Sequence, residues 1–249
     1  MNIFCRCVFT AALAATSTAG AQAPVNGDGA SVPSSSWSFT VTPYLWAAGL
    51  DGNTTADGVG SEIDTGYSFF SLDNLDLTLA AAAEARKGRW TVLFDGLYVE
   101  FSDAFDRPAV DADAEISGGF LETSAAYPAL NVPGLEAVFG MRYVALKSTV
   151  QLIPGPSGST RENWLDPLVG VRFQHAFNDR WSVSLRGDVG GFGVASELTT
   201  NVSAIFGLRL TDAMTLRFGY RALQMDFEDG GFVLDAIVQG YAVGLTFAL

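Results

Sequence analysis

Along most of this chain apolar and polar residues alternate one for one. In WSFTVTPYLWAAGL, Trp37, Phe39, Val41, Leu45 and Ala47 alternate with Ser38, Thr40, Thr42 and Tyr44. Leu77, Leu79, Ala81 and Ala83 oppose Thr78, Ala80, Glu84 and Arg86, and Trp90, Val92, Phe94 and Tyr98 oppose Thr91 and Asp95. Val202, Ala204, Phe206, Leu208 and Leu210 oppose Asn201, Ser203, Gly207 and Arg209; Leu216, Phe218, Tyr220 and Ala222 oppose Thr215, Arg217, Gly219 and Arg221. A period of two puts successive side chains on opposite faces of a strand. The pattern predicts ten strands, near 37–49, 75–87, 89–103, 113–127, 135–150, 163–177, 180–192, 198–210, 213–227 and 232–249. Pro43 cannot donate a ladder hydrogen bond, so a bulge or local weakness is expected there. The alternation continues to the last residue: Tyr241, Val243, Leu245, Phe247 and Leu249 share the larger face.

The links between these segments alternate in length. RKGR, HAFNDR, LTDA and NVPG read as short turns, whereas 50–74, 103–113, 151–162 and 227–232 are longer, and the glycine-rich 190–197 link joins the long set. Tight turns at one end and longer loops at the other are the asymmetry of an outer-membrane barrel. The segment 51–74 is mixed. As one external loop it leaves ten strands; an added strand pair makes twelve, within an overall range of 8–12. Ser71 to Asn74 has the residues that open a short helix.

Composition sharpens this picture. Hydrophobic residues make up 49% of the chain and charged residues 16%, yet after residue 23 there is no apolar run of about 18 residues that would cross a bilayer as a helix. Hydrophobicity spread by alternation is the membrane-barrel signature. The net charge of −13 argues against nucleic acid, which needs a basic face.

Residues 1–23 (MNIFCRCVFTAALAATSTAGAQA) read as a signal peptide: one early charge, Arg6, an apolar core from Val8 to Ala15, and Ala21-Gln22-Ala23 as the cleavage pattern. Both cysteines, Cys5 and Cys7, lie within it, so no disulfide or thiolate metal site is expected after cleavage. Residues 24–36 are rich in Pro, Gly and Ser and read as a flexible lead-in. About 225 residues then remain, enough for one all-β domain, expected as a transmembrane antiparallel up-and-down β-barrel over 37–249.

A soluble up-and-down barrel would alternate too. Three features favour the membrane. Strands of 13 or more residues exceed the roughly 5–6 usual in soluble sheets. The five tryptophans, Trp37, Trp46, Trp90, Trp164 and Trp181, fall near predicted strand ends, where interfacial aromatics sit. The apolar final strand is explained if it closes on the first, which removes the exposed edge.

The stretches TPYLWAAGLDG (42–52), EARKGRW (84–90), LFDGLYVEFSD (93–103), DPLVGVRF (166–173) and GDVGGFG (187–193) resemble a largely uncharacterised family of proteobacterial outer-membrane β-barrels. Gly244, Phe247 and Leu249 resemble the C-terminal signal read by the barrel-assembly machinery, although many such signals end in Phe. The resemblance implies the fold and an integral place in the outer membrane. It brings no established substrate, cofactor or catalytic residue.

Candidate sites follow from the polar face. Glu84, Arg86, Asp95, Arg142, Asp166, Arg172, Arg186, Asp188, Arg209, Arg217 and Arg221 fall on the less apolar face of their strands. Charge facing lipid at mid-bilayer costs ~2–4 kcal/mol for Arg or Lys, so these residues are expected inside, as a solute pathway or as an ion-pair network filling a narrow lumen. Barrels of about eight strands are filled by side chains, and aqueous channels need about 16, which favours filling. His175, the single histidine, shares the parity of Val171 and Phe173 and lies beside the Asn178-Asp179 turn. An interfacial role suits it better than that of a catalytic base. The run from Gly187 to Gly193 lacks the helix a phosphate loop needs; small residues at a bend of the wall explain it. Acidic residues gather in the long links (Asp51, Asp57, Glu62, Asp64; Asp103, Asp106, Asp111; Glu228, Asp229), as soluble loops or as carboxylates for divalent cations bridging to lipopolysaccharide.

The expected function is therefore that of an integral barrel with a largely filled lumen, in a structural or surface-interaction role, with no catalysis, no metal and no cofactor. A narrow channel for small solutes or ions is the competing reading, and a membrane-embedded hydrolase a third. The expected partners are outer-membrane lipid and lipopolysaccharide, and the assembly machinery during biogenesis. Small solutes join them if the lumen conducts.

Overall fold

The computed structural model describes residues 36–56, 59–64, 75–107, 110–153, 157–229 and 232–249. The stretch that reads as a signal peptide, nearly all of the expected lead-in, and residues 71–74, where a short helix is expected to open, lie outside them. Eleven strands follow in order: β1 (Ser38–Ala56), β2 (Val59–Asp64), β3 (Leu75–Lys87), β4 (Trp90–Arg107), β5 (Val110–Pro128), β6 (Leu135–Ile153), β7 (Ser157–Ala176), β8 (Trp181–Gly191), β9 (Leu198–Arg209), β10 (Met214–Asp229) and β11 (Phe232–Ala248). The sheet runs β11-β10-β9-β8-β7-β6-β5-β4-β3-β1-β2, and β11 also pairs with β1. Ten antiparallel strands thus close into a barrel, with β2 as an additional arm.

The arm corrects the reading of 51–74 as one external loop. Residues 51–56 prolong β1 and the chain folds back as β2, in register from Asp51↔Asp64 to Ala56↔Val59. Three other long links are also mostly strand: β4 reaches Arg107 and β5 starts at Val110, β6 reaches Ile153 and β7 starts at Ser157, and β10 and β11 approach to Asp229 and Phe232. Ladders depend on backbone groups, so they run on past the apolar band, through pairs such as Asp103↔Ala114 and Asp106↔Asp111. Loss of apolar alternation marked the end of the band, and the strands continue beyond it.

Pro43 makes no bulge towards β11: Val41↔Phe247 and Tyr44↔Gly244 hold one register across it. It is instead the last residue of the β1–β3 ladder, opposite Ala81. Pro167 stands likewise one residue before the β7–β8 ladder begins at Leu168↔Gly190. A residue without an N–H costs least where a ladder ends. The irregularity that does occur lies between Leu75 and Leu77 on β3.

One end of the barrel, called the near end below, carries the tight turns. Gly88 takes φ +59° in the two-residue link from β3 to β4, a conformation that glycine adopts without penalty. In the β7–β8 turn the Asn178 side-chain oxygen accepts from the backbone N–H groups of Arg180 and Trp181, each at 2.9 Å, which is how Asn commonly fixes a turn. The outer surface is apolar: Leu45, Phe94, Leu121, Met141, Val169, Val202 and Val243 are all exposed. The Leu249 N–H donates to the Phe39 carbonyl at 3.0 Å, one residue beyond the end of β11, so the bonding between the closing strands extends past the ladder.

Candidate functional site

The interior is layered, and β10 alone displays the layers. Its inward line passes from Thr215 and Arg217 through Arg221 to Leu223, Met225 and Phe227. The other strands each add to one or more of these layers, giving an open polar cavity at the near end, an ion-pair layer in the middle and an apolar layer towards the far end, with a smaller apolar cluster of Leu93, Ala126, Val138 and Leu168 besides.

The middle layer begins with direct cross-strand pairs. The register sets Glu122 opposite Arg142 and Glu136 opposite Arg172. Arg142 is fully buried, and its Nη2 lies 2.8 Å from both Glu122 Oε2 and Asp188 Oδ1. Arg186 completes the ring, 2.6 Å from Glu122 Oε1 and 2.8 Å from Asp188 Oδ2. Asn201 donates to Asp188 at 2.7 Å and accepts from Arg221 Nε at 2.9 Å. Arg221 Nη1 reaches Asp95 at 2.6 Å, and the Tyr44 hydroxyl donates to the other Asp95 oxygen at 2.7 Å. A second group joins Arg172 to Glu84 at 2.8 Å and to Glu136 at 2.7 Å, with Arg86 donating to Gln174 at 3.2 Å. Charges removed from water persist only when paired and hydrogen-bonded, and nine of the ten barrel strands, all but β11, supply the partners named here.

Above this layer lies a core of Trp46, Phe120, Val144, Trp164, Leu223, Met225, Phe227, Phe232, Leu234 and Ala236. Trp164 and Phe227 stack at 4.1 Å. Arg221 joins the two layers, its guanidinium 4.9 Å from the Phe120 ring and 5.2 Å from that of Trp46, distances suited to cation–π attraction. Below the ion pairs, two adjoining cavities of about 190 and 200 Å³ share Thr40, Glu84, Ser184, Arg217 and Thr246 in their walls.

Several candidate residues take other places than expected. Trp37, Trp90 and Trp181 are exposed on the outer face, but Trp46 and Trp164 are each only 5% exposed, within the core. Both share the parity of inward neighbours, Tyr44 and Asp166, so proximity to a predicted strand end was the wrong criterion for them. Asp166 joins no ion pair among the described residues. It accepts instead from Trp164 Nε1 at 3.0 Å and from the Ser196 hydroxyl and N–H at 2.6 and 3.0 Å. It thereby holds the 192–197 turn that follows the short β8, a turn that Gly191 and Gly193 enter with φ of +86° and +67°. Arg209 and Arg217 face inward, but neither has a carboxylate within ion-pair distance among the described residues. Glu84 beside them is already engaged by Arg172.

Glu122 and Glu136 were not legible as network members. In FLETSA both faces of the strand carry polar or small residues, and Glu136 adjoins the NVPG turn, where parity has no run to anchor it. Their cross-strand arginines were the usable signal. Of the residues resembling an assembly signal, Gly244 faces inward, where a Cβ would lie 2.7 Å from the Pro43 carbonyl oxygen. Phe247 pairs with Val41, and Leu249 is exposed. His175 stacks with Phe173 at 6.2 Å and meets Phe177 edge-on at 5.2 Å, at the rim of the near-end cavity. Among the described residues no group of three or more His, Cys, Asp or Glu is placed to hold a metal ion.

No protein-family model matches the chain, and no curated protein matches it. Among solved structures, the outer membrane protease OmpT of Escherichia coli is similar with a TM-score of 0.52 at 9% identity, over 85% of this chain and 97% of that one. Ail, the attachment invasion locus protein of Yersinia pestis, solved in complex with the heparin analogue sucrose octasulfate, gives 0.37 at 11% identity over 86% and 98%. Neisserial surface protein A gives 0.33 at 12% identity over 85% and 98%. The likeness to OmpT is one of fold, a closed antiparallel β-barrel of the outer-membrane kind.

Proposed function

We propose that the chain is an integral outer-membrane protein of the family its sequence resembles, with a closed lumen and a structural or surface-interaction role rather than a catalytic one. The observation that carries this reading is Arg142, fully buried between Glu122 and Asp188 beneath a core of aromatic and aliphatic side chains. Ions crossing the barrel would have to break both layers. The apolar outer face and charged interior support placement in lipid, because the reverse arrangement would suit water. His175 packs among aromatic rings on the outer row, which supports an interfacial place for it over that of a general base.

A narrow channel is the second reading, favoured by the two near-end cavities. Single-channel recording of refolded protein separates the two. The closed reading expects wild type to be electrically silent at physiological salt, with any conductance arising only after Arg142 or Arg221 is removed. A wild type that conducts, with a selectivity that changes in Arg217→Ala, would establish the channel instead.

A further inference from the structure

The protein as a whole carries a net charge of −13, yet its near-end cavity holds two arginines outside ion-pair distance of any carboxylate among the described residues, beside a Glu84 that Arg172 and Arg86 already engage. Of the inward arginines, Arg86, Arg142, Arg172, Arg186 and Arg221 each lie within 4.0 Å of a carboxylate. Arg209 and Arg217 do not, among the described residues. They stand on adjacent strands in a diagonal relation, Arg217 opposite Gly207 and Arg209 opposite Thr215. Gly207 makes the space for this: a Cβ there would lie 2.6 Å from Ser182 Oγ and 3.7 Å from Arg217 Cδ. Arg217 lines both cavities, and Arg209 lines the outer one. Ser184, Thr40 and Thr246 bring hydroxyls to the shared wall.

We infer that Arg209 and Arg217 form a binding site for a small oxyanion, a phosphate or carboxylate group, in a blind vestibule entered from the near end. Guanidinium groups match the planar geometry of such oxygens and bind them through charge-assisted hydrogen bonds. Low-dielectric walls strengthen that attraction relative to bulk water. The vestibule is large enough for the group and a short carbon skeleton but ends at the ion-pair layer, where Arg221 and Asp95 already satisfy each other. The site needs no open lumen, so it stands or falls separately from the closed-barrel reading.

Two sources supply this chemistry, a free anion and the headgroup of an anionic lipid at the rim. The test uses the refolded full barrel in nanodiscs and reads the thermal unfolding midpoint, which rises when a ligand binds the folded state alone. One arm titrates inorganic phosphate against phosphatidylcholine discs, with sodium chloride matched for ionic strength. The other replaces the lipid with phosphatidylglycerol and adds no phosphate. A saturable rise in the first arm, weakened about tenfold or more in Arg209→Gln and Arg217→Gln as expected for loss of a charge-assisted contact, establishes the free oxyanion site. A rise confined to the second arm, with the same arginine dependence, assigns the site to a headgroup. Arg217→Lys keeps the charge and should retain part of the effect. The gel mobility of unheated samples shows that each variant is folded. Midpoints that respond equally in wild type and both Gln variants, or not at all, overturn the proposal.

Discussion

Arg221 on β10 and Asp95 on β4 meet at 2.6 Å across the barrel interior, although 126 residues separate them in the chain and their strands are not neighbours. The same guanidinium lies over Phe120 and Trp46. One side chain therefore ties opposite walls together and joins the polar layer to the apolar one.

Removing that tie should be costly. Arg221→Ala leaves the half-buried Asp95 with only Tyr44 as a partner among the described residues, and loss of one member of a fully buried ion pair costs ~3–5 kcal/mol, a ceiling that cavity water beside Asp95 lowers. Equilibrium unfolding in urea, in micelles, measures it. Arg221→Ala/Asp95→Ala should lose less than the sum of the two single variants, the mark of direct coupling. Strict additivity would show that the pair carries no shared energy.

Asp166 should behave as a turn anchor. Asp166→Ala leaves the Trp164 indole N–H and two Ser196 donors without their acceptor, at ~1–3 kcal/mol for each buried group left unsatisfied. Amide exchange should quicken in residues 192–197 while β5 and β6 stay protected. Uniform acceleration across the barrel would contradict a local role.

The tryptophans should divide into two classes. In single-tryptophan variants reconstituted with brominated lipid, Trp37, Trp90 and Trp181 should be quenched, since they are exposed on the outer face. Trp46 and Trp164, inside the core, should resist both brominated lipid and aqueous iodide. Lipid quenching of Trp46 would mean that β1 faces the other way.

The final strand is open to test in cells. Deleting Phe247 to Leu249 removes the Val41↔Phe247 pairing and the bond from Leu249 to Phe39. Full-length protein should fractionate with outer membranes and shift in gel mobility between unheated and boiled samples. The truncated form should fall to a small fraction of that level and be degraded. Normal assembly of the truncated chain would remove both the closing and the signalling role from these residues.

The alternation along the chain determined the barrel and the face of nearly every side chain. Side-chain parity is a local property of strand geometry, and the apolar majority face could be satisfied only by lipid or by a core. Thus the inward direction of Arg142, Arg172 and Arg221, and the outward direction of Phe94 and Val243, were already present in their neighbours. Parity also carried information that position along the strand obscured: Trp46 and Trp164 belonged to the inward rows all along. Tertiary structure alone decided which inward groups meet. Arg172 with Glu84 and Arg221 with Asp95 depend on barrel closure and stagger, which bring distant strands within side-chain reach. The same closure left Arg209 and Arg217 at the open end with no carboxylate beside them. It also converted Asp166 from an expected ion-pair partner into the anchor of a turn, because the nearest donors there are Trp164 and Ser196. Strand ends, too, were decided in three dimensions, since a ladder continues for as long as its neighbour offers backbone partners, whatever side chains it carries.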